Sequence, residues 1–302
     1  MTYRYTIGDR TGSVTGQDPL PRHLRLGRRP NIGSAGRWPV TIWRRAAYHV
    51  DHRCQPAAGH RFAISRRLLR EDGARVFAHS FAPYDATEPW GADPGGVAGV
   101  LADLGGECDR LAHRESDLSD PDEPRRLVAA AAARFGHLDA LVVNHARSQK
   151  GTLGEIEAEM LDLTWAVNLR ASLLLVQAFA EQYQPGPDGG RVVLFTSGQH
   201  QGPMPSEIPY AVTKGAIQQI TRTLADALAE LDITVNCVNP GPTDTGWATP
   251  DQEAFVARHM PRGHWNTPDE AANVVALLLT AEAATITGQV IDAEGGFRRF
   301  TP

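Results

Sequence analysis

Apolar positions fall into two rhythms along this chain, and from Arg66 onward the two alternate. Near-continuous apolar runs mark "LDALVVNHA" (138–146), "RVVLFTSG" (191–198) and "ITVNCVNPG" (233–241). Short runs of this kind, without polar alternation, predict strands buried on both faces of a parallel sheet. "ARVFAH" (74–79) and "GQVIDAEGG" (288–296) predict two more strands. Between them lie stretches of helix formers: 121–136, which opens on acids and stops at Gly136, then 157–183, 210–231, and 267–280 behind a threonine cap. Strand–helix alternation predicts an α/β fold, a doubly wound parallel sheet with helices on both faces.

Upstream the pattern breaks down. A helix followed by a strand near the start of an α/β chain usually stands behind a glycine-rich phosphate loop. In "HRCQPAAGHRFAIS" (52–65) Gly59 stands alone, with His60 and Arg61 where small residues are needed. "PVTIW" (39–43) could supply a preceding strand, but nothing after it forms the turn. The first strand and the glycine loop are therefore the doubtful parts of the fold.

Charge breaks at the same place. Residues 1–62 hold eleven Arg, three Asp and neither Glu nor Lys, a net of +8, while residues 63–302 carry a net of −13. The expected organisation is an irregular basic segment, 1–62, followed by one folded domain, 63–302. The segment reads as a disordered basic arm or as an organelle transit peptide, both Arg-rich and acid-poor. A third reading is a frame-shifted translation. One base later, codons allowed for residues 52–62 can spell "TGVSRRRGIG", a complete glycine loop next to "FAISRRLL". As written, the chain is then expected to bind a dinucleotide poorly.

The totals narrow the function classes. The chain is 42% hydrophobic and 22% charged with a net charge of −5, a soluble globular composition that gives no reason to expect nucleic-acid or membrane partners. Cys54, Cys108 and Cys237 lie far apart, in no metal-ligand spacing and no even disulfide set, which fits a reducing cytoplasm. No apolar run is expected to be long enough to span a membrane.

The sharpest chemical signal is "YAVTK". Tyr210 and Lys214 stand at i and i+4 on one helix face. Such a pair is common on helix surfaces, but this chain has only two lysines, Lys150 and Lys214, and uses Arg for its 28 other cations. A compact ammonium can lie close to a phenol and to sugar hydroxyls where a guanidinium cannot. Ser197 ends the apolar run 191–198, at the strand edge where ligands bind in parallel sheets. Asn168 sits inside the helix 157–183, where asparagine is mildly unfavourable.

Together Asn168, Ser197, Tyr210 and Lys214 resemble the catalytic tetrad of the short-chain dehydrogenases/reductases, closest to the ketoacyl-reductase-like members. The likeness covers roughly residues 62–302. Asp117 in "SDL" is similar to the family's adenine-contacting acid. Asn144 matches the second Asn of the family's Asn-Asn-Ala-Gly turn, and His145-Ala146 depart from its remainder. "NPGPTDTG" resembles the Pro-Gly-x-x-x-Thr stretch at the nicotinamide end, which assigns Pro240, Gly241, Thr243 and Thr245 to the cofactor.

The resemblance implies a Rossmann-like domain that interconverts a carbonyl and a secondary alcohol. Free tyrosine, with a pKa of ~10, is a poor acid or base near neutrality. Lys214 and the positive nicotinamide are expected to favour the phenolate, so that Tyr210 exchanges a proton with the substrate oxygen. Ser197 would bond that oxygen, Lys214 the nicotinamide ribose, and Asn168 a water leading to solvent. The second strand carries His79 and Ser80 at its end and no acid, which favours NADP over NAD as the bound cofactor. Residues 198–209 and 247–265 take the family's substrate-loop positions, with Trp247, Met260 and Trp265 as apolar candidates. The resemblance also implies a homodimer or homotetramer. The alternative is a non-catalytic relic that keeps the tetrad but cannot hold a dinucleotide.

Overall fold

A computed structural model of the chain describes residues 2–7, 10–15, 46–50, 60–70, 74–86, 95–245 and 248–300. The chain divides into two compact units, Met1–Thr41 and Ile42–Pro302. In the first, β1 (Thr2–Ile7) and β2 (Arg10–Thr15) pair antiparallel from Thr2↔Thr15 to Ile7↔Arg10.

The second unit alternates strand and helix. In chain order it runs β3 (Ala46–Val50), α1 (His60–Leu69), β4 (Arg75–Ser80), α2 (Ala82–Asp85), α3 (Gly96–Asp103), β5 (Leu111–Glu115), α4 (Glu123–Phe135), β6 (Ala140–Val143), α5 (Ala158–Trp165) and α6 (Ala171–Gln182). It continues with β7 (Gly190–Phe195), α7 (Ile208–Leu228), β8 (Ile233–Asn239), α8 (Pro250–His259), α9 (Pro268–Leu278) and β9 (Val290–Asp292). The strands form one parallel sheet in the order β5-β4-β3-β6-β7-β8-β9. This is the doubly wound arrangement, whose ligands bind beyond the carboxyl ends of the strands.

The strand that the sequence leaves in doubt is filled, and it is central. β3 pairs with β4 from Ala46↔Arg75 to Val50↔His79, and with β6 from Ala47↔Ala140 to Val50↔Val143. The boundary expected at residue 62 falls inside α1, and the compact units part twenty residues earlier. Residues 51–59, where the glycine loop belongs, and the candidate strand 39–43 lie outside the described residues.

Period-2 alternation along the strands sorts the core into two layers. Leu141, Val143, Val192, Leu194, Val235 and Cys237 face one layer with Leu127, Leu175 and Phe179 of α4 and α6. Val142, Val193, Phe195 and Val238 face the other with Ile64 of α1 and Val275 of α9. Helix ends follow their local chemistry. Gly136 closes α4 at φ 88° and donates its N–H to Ala132 O at 2.7 Å. Thr267 and Glu270 form a reciprocal capping box at the start of α9.

One expectation needs correction. Residues Ala158–Gln182 form a helix long and apolar enough, by length and composition, to cross a membrane. Over half of its most apolar stretch is buried inside the protein, where α6 packs against β6 and α4.

Candidate active site

Three strand ends build the floor of a cavity of about 630 Å³. Asn144 and Ala146 follow β6, Thr196, Ser197 and Gly198 follow β7, and Pro240, Gly241, Thr243 and Thr245 follow β8; all of them line it. Tyr210 and Lys214 enter from the first turns of α7. Both lysines of the chain, Lys150 and Lys214, therefore line one cavity.

Lys214 is 2% exposed and fixed at both ends. Its Nζ donates to Phe195 O at 2.9 Å, and its backbone carbonyl accepts from Thr196 Oγ1 at 2.8 Å. Nζ lies 5.8 Å from the centroid of the Tyr210 ring. The ammonium thus stands under the phenol and against the end of β7, the strand that delivers Ser197. Ser197 itself is extended, at φ −141° and ψ −176°, and a single 3-10 turn, Gly198–His200, follows it.

Asn168 lies behind the cavity wall instead of lining it. It occupies a widened turn, Ala166–Arg170, where α5 passes into α6; such π-turns are frequent at functional sites. Its Oδ1 accepts from Arg147 N at 2.6 Å, and its Nδ2 donates to Arg147 O at 3.0 Å and to Thr213 Oγ1 at 3.0 Å. Thr213 Oγ1 in turn donates to Tyr210 O at 2.9 Å. The side chain expected to hold a water ties the loop after β6 to the first turn of α7 through protein groups.

His145 departs from the family turn for a visible reason. It is fully buried, and its Nε2 bonds Val167 O at 2.6 Å, in the widened turn next to Asn168. Burial, aided by the positive charge of Lys214, holds its pKa down to about 3 against the pull of the Val167 carbonyl, so the ring is neutral and donates.

The remaining sequence-predicted residues divide. Asp117 lines a separate cavity of about 370 Å³, with Ser119, Tyr84 and Arg147, beyond the ends of β4 and β5. His79 and Ser80 line neither cavity. His79 is buried with Nε2 on Ser116 O at 2.8 Å, and Ser80 Oγ pairs with His113 Nε2 at 2.8 Å. Both belong to β4 and are tied to residues 113–116. The carboxylate at this strand end comes from the neighbouring strand: Glu115 Oε1 accepts from Ala82 N at 3.0 Å. On the opposite wall, Trp265 lines the main cavity, Met260 is buried, and Trp247 lies outside the described residues.

Sequence reasoning missed Arg147, Thr213, Arg299 and the position of Glu115. Thr213 was within reach, inside "YAVTK". The others depend on which strands and loops become neighbours.

Comparison with known proteins agrees with this architecture. Residues 91–298 match the family described as Enoyl-(Acyl carrier protein) reductase. The chain is 41% identical over 238 residues to the uncharacterized oxidoreductase YjdA of Bacillus subtilis, spanning 78% of this chain and 91% of that protein. It is 31% identical over 242 residues to dehydrogenase/reductase SDR family member 4 of Bos taurus, over 78% of this chain and 82% of the other. Among solved structures, a short-chain dehydrogenase/reductase from Serratia marcescens superposes with a TM-score of 0.70 at 29% identity, covering 84% of this chain and 97% of that one. A blue fluorescent protein from a metagenomic library, solved in complex with NADPH, superposes with the same score and coverage at 27% identity.

Proposed function

This chain belongs to the short-chain dehydrogenase/reductase family, whose members use NAD(P), and from there we propose that it interconverts a carbonyl and a secondary alcohol, with Tyr210 as acid and base. One observation carries the reading: Ser197, Tyr210 and Lys214 open onto one cavity at the carboxyl ends of the central strands. The cofactor supplies the hydride.

The residues present fit the nicotinamide end of a dinucleotide. Tyr210 and Lys214 reach the cavity as a hydroxyl and an ammonium, and Asn144 and Thr245 reach it from β6 and β8. Gly241 runs through at φ 65°, a conformation that L side chains rarely adopt. In this proposal Lys214 holds the ribose hydroxyls and stabilises negative charge developing on the phenolic oxygen. Tyr210 gives a proton to the substrate oxygen in reduction and takes it back in oxidation. Ser197 donates to the same oxygen. Asn168 acts at one remove, by fixing the start of α7 through Thr213.

The proposed form of the cofactor is NADP(H). β4 carries no acid to repel a 2′-phosphate, and a structural neighbour is bound to NADPH. Glu115 brings a carboxylate to this strand end, and its charge weakens that preference.

Calorimetry of NADPH with the purified chain, followed by turnover of ethyl acetoacetate as a ketone probe, tests the reading. Binding with Tyr210-dependent turnover supports it. Absence of binding favours the relic reading, in which residues 51–59 provide no phosphate loop.

A further inference from the structure

The segment after β9 returns to the cavity, where Phe297 and Arg299 form part of the wall. Arg299 makes a two-pronged ion pair with Glu294, Nη1 to Oε2 and Nη2 to Oε1, both at 2.5 Å. The pair is largely shielded, with side chains 18% and 9% exposed. Glu294 Oε1 also accepts from Asn239 Nδ2 at 2.7 Å, at the end of β8 just before Pro240 and Gly241.

Missing side chains make room for this segment. A Cβ on Gly198 would lie 1.8 Å from Arg299 Nη2, and one on Gly202 would lie 2.8 Å from Arg299 Cδ and 3.0 Å from Phe300 Cζ. Neither glycine has a positive φ. Their backbone suits any residue, so the space itself accounts for glycine there. Gly198 follows Ser197 directly. The turn it begins is one 3-10 turn long, with Gln201 N and Gly202 N both bonded to Gly198 O. So short a turn draws its rigidity from outside. A second tether acts from the same side: Asp292 accepts from Gln201 Nε2 at 2.7 Å and pairs with His200 Nε2 at 2.9 Å. The match to the family model ends at residue 298, one residue before Arg299.

We infer that Arg299 is a positioning residue for Ser197: paired to Glu294 and seated on Gly198 and Gly202, it holds the Ser197 turn in register with Tyr210 and walls the substrate end of the cavity. The inference rests on the catalytic reading above for its functional meaning and on packing alone for its structural part. Removing one partner of a shielded ion pair leaves the other charge uncompensated, and Glu294 would then withdraw from Asn239 or draw in water.

Arg299→Ala, Arg299→Lys and Gly198→Ala test it in the full chain. Amide hydrogen exchange over residues 198–202 is expected to rise about tenfold or more in Arg299→Ala, with α7 residues 221–228 unchanged. Gly198→Ala should reproduce this although Arg299 is present, and Arg299→Lys should fall between. With ethyl acetoacetate, kcat should drop about tenfold in Arg299→Ala while the KM for NADPH stays within about twofold. Millimolar guanidinium should restore part of that loss, and methylammonium should not, because only the planar fork meets both carboxylate oxygens. Unchanged exchange over 198–202 in both Arg299→Ala and Gly198→Ala overturns the inference, whatever the activity. If the chain turns over no ketone, the catalytic reading fails, and the exchange measurement still decides the positioning role.

Discussion

Acidification should destabilise this protein through one identifiable ring. His145 is buried beside Val167 and Lys214, and its pKa is held down to about 3. In the unfolded chain it returns to about 6.5. Between these values the unfolded state binds a proton that the folded state refuses, so stability rises with pH. The contribution is complete above about pH 6.5 and is lost as pH falls toward 3. In the middle of that window each pH unit costs about 1.4 kcal/mol, so a drop from pH 6.5 to 4.5 removes about 2.3 kcal/mol and the ceiling lies near 5 kcal/mol. Against a typical domain stability of about 5–15 kcal/mol, this is a large share. The assay is urea unfolding of wild type and His145→Asn at several pH values between 4 and 7. Asparagine can still donate to Val167 O but does not titrate. Contributions from carboxylates are common to both chains and cancel in the difference. The variant is less stable at pH 7 and should lose less on acidification, by about 1.4 kcal/mol per unit. Parallel pH profiles would refute the assignment of a neutral, proton-refusing imidazole at this position.

Tyr210→Phe should abolish turnover while the melting temperature shifts little, since the ring still packs; most of the rate surviving would remove Tyr210 from proton transfer. Lys214→Arg should lower kcat by about a hundredfold or more, because the fork cannot take the ammonium's place between Phe195 O and the phenol; unchanged kinetics would make Lys214 a mere structural cation. Glu115→Gln should tighten NADPH relative to NADH in calorimetry, by about 1 kcal/mol, as a negative charge leaves the end of β4; an unaltered ratio would place the 2′-phosphate elsewhere. Burial pushes the Cys237 thiol up to about 12 whereas Cys108 is exposed, so, of the two described cysteines, iodoacetamide at pH 8 should modify Cys108 in the native protein and Cys237 only in denaturant, as read by mass spectrometry.

The parts of the fold that were legible share one physical cause. β6, β7 and β8 lie inside the sheet and are buried on both faces, so their sequences are continuous apolar runs that admit few other readings. β5 lies at the sheet edge, and its "LAHRE" carries the polarity of a half-exposed strand, so it gave no such signal. α8 buries only Val256 and opens on a capping box, so no apolar stripe announces it. β3 was hidden because the expected confirmation, a glycine loop behind it, is absent from "DHRCQPAAG". Within the site, Tyr210 and Lys214 share one helix, so their spacing exposed them. Arg299 meets Gly198 across a hundred residues of chain, and Glu115 reaches α2 from a neighbouring strand; no local rule encodes either meeting. His79 and Ser80 end their strand, where the resemblance puts the cofactor, and no local pattern reveals their hydrogen bonds to Ser116 and His113 on the adjoining segment.

The near-absence of lysine gives the molecule an unusual digestion map. A protease that cuts only after lysine can cleave this chain at two peptide bonds, after Lys150 and after Lys214, and both residues line the same cavity. Lys150 is exposed on a loop, and Lys214 is buried inside a helix. The native protein should therefore be nicked once, at the rim of the cleft, into pieces 1–150 and 151–302. The second cut becomes accessible only when the first turns of α7 open. The three-fragment pattern then measures the integrity of the helix that carries Tyr210 without any substrate, cofactor or reporter.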